Sequence, residues 1–295
     1  MDYYLLRQLS TAEKDVLPAE FKDISYYKDN DGIVTLTFNT PKRKNALSLY
    51  SFFEIYNAID CFENDDTAHA MILTGAKDPE SNDSSKEAYS SGGYFNPDAY
   101  AGVPDEIMQQ IDQTDIAQKR TTMKIFQCDK PIIAAVNGLS IGGAFTLTLA
   151  GADQVYMSEH AWVQLPFAKL GISAELASSF LLPRLLGMQK AKEIIFFSGR
   201  IDAEEAVKLN LANKVVPHDE LLAYAHKKAL ELIPPHGAGL AIREMKKLVN
   251  EPLVDAISDA LDRENKALQT LFASKDFAEG FTARIERRPP VFTGK

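Results

Sequence analysis

A chain of 295 residues with 45% hydrophobic and 25% charged content can bury a sizeable core, and that balance excludes disorder over most of its length. Its net charge of −9 excludes a broad nucleic-acid face, which needs many cations against phosphates, yet leaves room for a small anion where positive charge is gathered locally. Two cysteines, Cys61 and Cys128, make no disulfide framework and have no His or Cys at metal-ligand spacing, so no metal site and a reducing compartment are expected.

Residues 1–7 carry no basic region followed by an apolar run, and no stretch reaches the length of a membrane span, so a soluble, unexported, cytoplasmic protein is expected. Ile24-Ser25-Tyr26-Tyr27-Lys28, the turn Asp29-Asn30-Asp31-Gly32 and the alternating Ile33-Val34-Thr35-Leu36-Thr37-Phe38 predict a β-hairpin. A proline-led loop follows with three consecutive cations, Lys42, Arg43 and Lys44. Such a run is commonly a solvated loop, but at a strand end of an acidic protein it can also hold a ligand phosphate. A helix capped by Ser48 or Ser51 then places Phe52, Ile55, Ile59 and Phe62 on one face.

Ala70-Met71-Ile72-Leu73-Thr74-Gly75 reads as a buried strand, residues 77–87 as a polar surface loop, and Tyr89-Ser90-Ser91-Gly92-Gly93 as a strand running into a glycine pair. Residues 104–126 predict a helix ended by Cys128-Asp129-Lys130-Pro131. Ile132-Ile133-Ala134-Ala135-Val136 is apolar throughout, the pattern of a strand covered on both faces, and is expected to deliver a second pair, Gly142-Gly143, ahead of a helix of small residues. Further strands are predicted at 151–157 and 161–166. Residues 176–186 predict a helix interrupted by Pro183, short helices follow at 189–199 and 203–209, and long helices over 219–287 are joined near Pro234-Pro235 and Pro252. Asp153 is expected to be a structural hydrogen-bonding residue, His69 and His160 to lie at surfaces or strand ends, and Trp162 to serve packing.

Glycine pairs at two strand ends can bring two N–H groups onto one oxygen, the arrangement of an oxyanion hole. Between residues 161 and 187 the one carboxylate is Glu175, set among Ala174, Leu176 and Ala177; taken by itself it reads as an N-terminal helix acid favoured by the dipole.

Together these motifs resemble the crotonase family, the enoyl-CoA hydratase and isomerase superfamily, over about residues 20–292. The resemblance rests on Asn39-x-Pro41-x-x-x-Asn45-Ala46-Leu47, Tyr89-Ser90-Ser91-Gly92-Gly93, Asn137-Gly138-x-x-x-Gly142-Gly143-Ala144, and Gly171 through Leu182-Pro183-Arg184-x-x-Gly187, with Arg287-Arg288-Pro289-Pro290-Val291-Phe292 as a family-like tail. It implies an α/β fold, a crotonase-like spiral of ββα repeats over residues 1–219 and a C-terminal helical trimerisation region over 220–295. It also implies a homotrimer or dimer of trimers acting on an acyl-CoA, with no nucleic-acid or membrane partner. No separate cofactor is implied, since coenzyme A belongs to the substrate.

By the same resemblance Gly93 and Gly143 are the oxyanion donors, and Lys42, Arg43, Lys44, Ala46 and Ser91 are CoA-binding positions. Hydratases of this family use two glutamates, at positions held here by Thr146 and Phe167, neither of which is a general base. Glu175, four residues after Gly171, falls where the resemblance places the single catalytic acid of Δ3-Δ2-enoyl-CoA isomerases. The expected activity is therefore transfer of a double bond from C3 to C2 of an enoyl-CoA. A hydratase with displaced acids and a catalytically silent acyl-CoA-binding protein are the alternatives.

Overall fold

The computed structural model describes residues 21–112 and 115–295; the expectation drawn from residues 1–7 lies outside them. Among the described residues ten strands form two sheets. The larger contains Ile24–Lys28 (β1), Ile33–Phe38 (β2), Ala70–Gly75 (β3), Ile132–Val136 (β5), Gln154–Ser158 (β7) and Lys214–Val216 (β10), in the order β1-β2-β3-β5-β7-β10. The smaller contains Ala88–Ser90 (β4), Leu139–Ile141 (β6), Trp162–Gln164 (β8) and Arg200–Asp202 (β9), in that order. Only β1/β2 and β8/β9 pair antiparallel; the other pairs are parallel.

The circuits that begin at β3, β5 and β7 each give one strand to the large sheet, the next to the small sheet, and then helix, as in β5, β6 and the helix Gly143–Gly151, whereas the first gives both β1 and β2 to the large sheet. This is the spiral of ββα repeats. The apolar runs of the large sheet have a direct cause, because both faces are covered and side chains alternate between them. Val34, Leu36, Met71, Leu73, Ile132, Ala134 and Val136 enter the main core. Their neighbours Ile33, Ala70, Ile72, Ile133 and Ala135 pack on Leu221, Ala225 and Ala229 of the helix Leu221–Leu230. Among the described residues no helix is long and apolar enough to cross a membrane.

The hairpin and the helix Leu49–Asn64 form where expected, and the choice of cap resolves to Ser48. Its hydroxyl accepts from Ser51 N at 3.1 Å, and Ser51 Oγ accepts from Ser48 N at 2.9 Å, a reciprocal capping box. Phe52, Ile55, Ile59 and Phe62 are all buried.

Three expectations are corrected. Residues 104–126 do not make one helix: a single turn at Asp105–Met108 is separated from a π-helical segment, Ile116–Thr121, that runs into Thr122–Gln127. Thr121 and Thr122 donate their hydroxyls to the carbonyls of Ile116 and Ala117, five residues back, which suits the wider turn. β5 does not deliver Gly142-Gly143 directly; Gly138 turns the chain into β6, in the other sheet, and β6 delivers it. Any β-carbon at Gly138 would stand 2.1 Å from the Glu87 carbonyl oxygen, so the turn needs glycine. Finally, Pro183 does not interrupt its helix, which runs from Ser178 to Leu186. The bond it forfeits would have reached the carbonyl of exposed Ser179, which water can satisfy.

Candidate active site

The two glycine pairs meet because β4 and β6 are parallel neighbours, with Ala88 opposite Leu139 and Ser90 opposite Ser140, so both strands end at the same edge. Gly92 has φ +84° and lies against β6 so closely that a β-carbon would stand 2.5 Å from the Ile141 carbonyl oxygen; Gly142 has φ +54°. These are conformations and approaches that a side chain would obstruct. Leu47 fixes the first pair, donating its N–H to Gly92 O at 2.8 Å and accepting from Tyr94 N at 2.9 Å. Between those two bonds the Gly93 N–H is left over. Gly143 opens its helix, where the first N–H groups have no intrahelical partner. Among the described residues neither N–H donates to a protein acceptor.

Both glycines line a cavity of about 530 Å³. Its walls are mainly apolar, including Leu47, Phe52, Ile141, Phe167 and Leu176, and Ser91 and Glu175 also line it. Among the described residues Glu175 is the one carboxylate in that lining. It follows a 3₁₀ turn, Ala168–Leu170, and precedes the helix Ser178–Leu186. Its backbone is held by Ser178, whose Oγ accepts from Glu175 N at 3.1 Å and donates to Glu175 O at 2.6 Å. Desolvation pushes the Glu175 carboxyl up to about 7, and the charge of Glu264 adds to the shift. No hydrogen bond counters it, so the group sits where a carboxyl both takes up and releases a proton near neutral pH.

Glu264, rather than the Glu175 side chain, meets backbone donors at the start of the following helix. Two donors at the start of Ser178–Leu186 go to Glu264, which accepts from Ala177 N and Ser179 N at 2.8 Å each, while Ser178 N donates to Glu175 O at 3.1 Å. Glu264 lies on Val254–Phe272, more than 80 residues away in sequence, and is buried. Hydrogen bonds to a charged group contribute about 1.5–3 kcal/mol each. They secure a turn in which two successive non-glycine residues, Leu176 and Ala177, have φ of 54° and 63°, conformations costing about 1–3 kcal/mol apiece.

The cationic loop is less uniform than its sequence. Arg43 donates from Nη2 to the buried Asp23 carboxylate at 2.6 Å and stacks over the Tyr94 ring at 4.5 Å, while Asp23 also accepts from the hydroxyls of Ser48 and Ser51. Lys42 and Lys44 are exposed and Ala46 is buried; none of the four lines the cavity. The loop is joined to the cavity through Ser91, whose N–H donates to Lys44 O at 2.9 Å and whose hydroxyl donates to Arg43 O at 3.3 Å. At the two positions where the family's hydratases have acids, Phe167 is buried and lines the cavity, and Thr146 turns its hydroxyl back onto Gly142 O at 3.3 Å.

The other expected residues have structural partners. Asp153 Oδ2 accepts from Ile132 N at 2.7 Å and Lys246 Nζ at 2.8 Å, His69 is exposed, and Trp162 lies beneath the Arg200 guanidinium. Ligand-type atoms of Asp29, Asp31 and His226 lie within 4.8 Å of one another, but none of the three lines the cavity.

Sequence reasoning missed a whole wall of the site. Asn265, Gln269 and Phe272 of Val254–Phe272, with Phe277 and Arg284 of Lys275–Glu286, line the cavity as the glycine pairs do; Gln118 of the π segment enters it too. One signal was available. Ile257, Leu261, Glu264 and Leu268 recur at helical spacing, so Glu264 occupies a core-stripe position where an acid needs partners.

Comparison with known proteins agrees with this architecture. Residues 28–295 match the family described as enoyl-CoA hydratase/isomerase. A crotonyl-CoA hydratase of Syntrophomonas wolfei is 30% identical over 268 residues, covering 89% of this chain and 95% of that protein. A carnitinyl-CoA dehydratase of Escherichia coli O157:H7 is 30% identical over 270 residues, covering 90% and 97%. The crystal structure of an enoyl-CoA hydratase/isomerase from Pseudoalteromonas atlantica T6c has a TM-score of 0.77 at 28% identity, covering 92% of this chain and 100% of that one. With a match spanning nearly its whole length, the chain belongs to the enoyl-CoA hydratase/isomerase family, the crotonase superfamily.

Proposed function

We propose that the protein is an enoyl-CoA isomerase that moves a double bond from C3 to C2 of an acyl-CoA thioester. The observation that carries this reading is the cavity with one carboxylate, Glu175, beside the backbone of Gly143. Glu175 removes a proton from C2 of the 3-enoyl thioester. The resulting dienolate places its charge on the thioester oxygen, held by the N–H groups of Gly93 and Gly143, and the protonated Glu175 returns the proton at C4. The number of protons is conserved, no water is consumed, and a single acid suffices. Lys42 and Lys44, with Ala46 and Ser91, serve the CoA portion at the edge that Ser91 shares with the cavity. Exposed apolar residues on the last helices, among them Leu240, Leu248 and Ile285, support assembly into a homotrimer or dimer of trimers. We place the enzyme in the cytoplasm.

A second reading is favoured by the names of the relatives, a hydratase and a dehydratase: addition of water to a 2-enoyl-CoA, or its reverse. Incubation of the purified protein with a 3-enoyl-CoA and with a 2-enoyl-CoA separates the two. Conversion of the first to the conjugated thioester, with loss of that activity in Glu175→Gln, supports the isomerase. Water incorporation into the second, without isomerisation of the first, supports the hydratase. Acyl-CoA binding with neither reaction means the chain is a silent binder.

A further inference from the structure

We propose that Glu264 is the positioning residue for Glu175, its carboxylate fastening the left-handed turn that aims Glu175 into the cavity. The proposal rests on the reading of Glu175 as the proton carrier.

The two oxygens of Glu264 are divided between two backbone donors, Oε2 taking Ala177 N and Oε1 taking Ser179 N, each at 2.8 Å. These donors flank Ser178, the residue whose hydroxyl holds both backbone groups of Glu175. One carboxylate therefore fixes the far side of the same turn whose near side carries the acid. Nothing in the residue types of Leu176 and Ala177 favours positive φ, so the turn depends on partners from outside it. Glu264 is buried in the apolar stripe of its helix between Leu261 and Leu268, a placement with no benefit to packing. The residue that follows it, Asn265, lines the cavity, and so does Gln269 one turn on, so the helix that holds the turn also supplies part of the cavity wall. The charged groups that weigh on the pair are Arg263, on Glu264's own helix, and the two carboxylates themselves.

The test compares Glu264→Gln and Glu264→Ala with wild type and Glu175→Gln, all as the full chain. Steady-state turnover of a 3-enoyl-CoA is followed across pH, the Glu175 carboxyl is titrated by ¹³C NMR, and amide exchange is measured at Ala177 and Ser179. In Glu264→Ala kcat is expected to fall on the order of 10²-fold with KM changed by less than about threefold, the signature of a misplaced group rather than lost binding. Glu264→Gln keeps one acceptor oxygen and loses the charge. It should lose on the order of tenfold in kcat, shift the Glu175 titration and the acid limb of the rate profile to lower pH, and speed exchange at one or both amides.

If Glu264→Ala does not fold, the glutamine variant carries the test alone. Wild-type kcat, Glu175 titration and amide exchange in Glu264→Gln would overturn the proposal, as would a loss confined to KM. Should Glu175→Gln remain active, the reading of the reaction fails; the NMR titration and amide exchange still decide whether Glu264 holds the turn.

Discussion

The carboxylate of Glu175 closes on the backbone of Gly143, so that a β-carbon built on that glycine would stand 3.1 Å from Oε1 and 3.4 Å from Leu176 Cδ1. The proposed proton carrier and the proposed charge-holding residue thus lie side by side, and a methyl group added at Gly143 would press on the acid.

Gly143→Ala is therefore expected to displace the acid by a few tenths of an ångström or more while leaving the fold intact. Turnover of a 3-enoyl-CoA should fall on the order of 10²-fold, with a melting temperature within a few degrees of wild type. An alanine variant with unimpaired kcat would show that the acid does not work from this position.

With Glu175 as the proposed base, its elevated carboxyl predicts a pH dependence for the reaction. The base must be ionised, so kcat/KM should fall about tenfold per pH unit below a midpoint near 7. A rate profile flat down to pH 5 would contradict it.

Folding stability should respond in the same window with a definite sign. A carboxyl whose value rises from 4.5 unfolded to about 7 folded makes the native state bind more protons between those limits, so stability falls as pH rises through that range. Glu175→Gln removes the penalty and should stabilise the protein at pH 8 by roughly 1–3 kcal/mol, with little effect at pH 4. Denaturant melts of both proteins at the two pH values check it.

The three cations of the 42–44 loop should separate by phenotype. Among the described residues, Arg43→Ala leaves the Asp23 carboxylate, 2% exposed, with the two serine hydroxyls as its side-chain partners, and should cost about 2–4 kcal/mol in stability. Lys42→Ala and Lys44→Ala should leave stability within about 0.5 kcal/mol while weakening CoA binding, as measured by calorimetry. Equal destabilisation by all three substitutions would remove the distinction.

Gln118 enters the cavity with its side-chain oxygen buried and unpartnered. Gln118→Leu should raise stability by about 1 kcal/mol, because an unsatisfied buried acceptor is lost and an apolar group gained. It should also shift preference among acyl-CoA substrates away from chains carrying a hydroxyl near the π segment. Paired melts and competition assays with hydroxylated and plain acyl-CoAs read both effects.

How much of this was legible varied with the range of the forces involved. β3 and β5 could be read directly, because a strand covered on both faces is apolar at every position and needs no partner to be recognised. Glu175 stood out for a similar reason, as a lone acid in an apolar stretch. β6 was not legible: Leu139, Ser140 and Ile141 are too few to show a period, and they reach the second sheet through Gly138, which packs so close to Glu87 that a β-carbon would stand 2.1 Å from the Glu87 carbonyl oxygen. The wall formed by Asn265, Gln269 and Phe272 was hidden differently. Helical spacing shows which side of a helix is apolar, but not which distant turn it will face, and here the partner lies more than 80 residues earlier.

That wall also fixes the order in which the molecule becomes competent during synthesis. Both sheets and the glycine pairs are complete by Val216, whereas Glu264, Asn265, Phe277 and Arg284 emerge last. A nascent chain that ends at Val216 carries all the described strands but lacks Glu264 and the helical residues that line the cavity. Ligand capture must wait for the closing helices, so any protection that an acyl-CoA gives against proteolysis should arrive as a single late step.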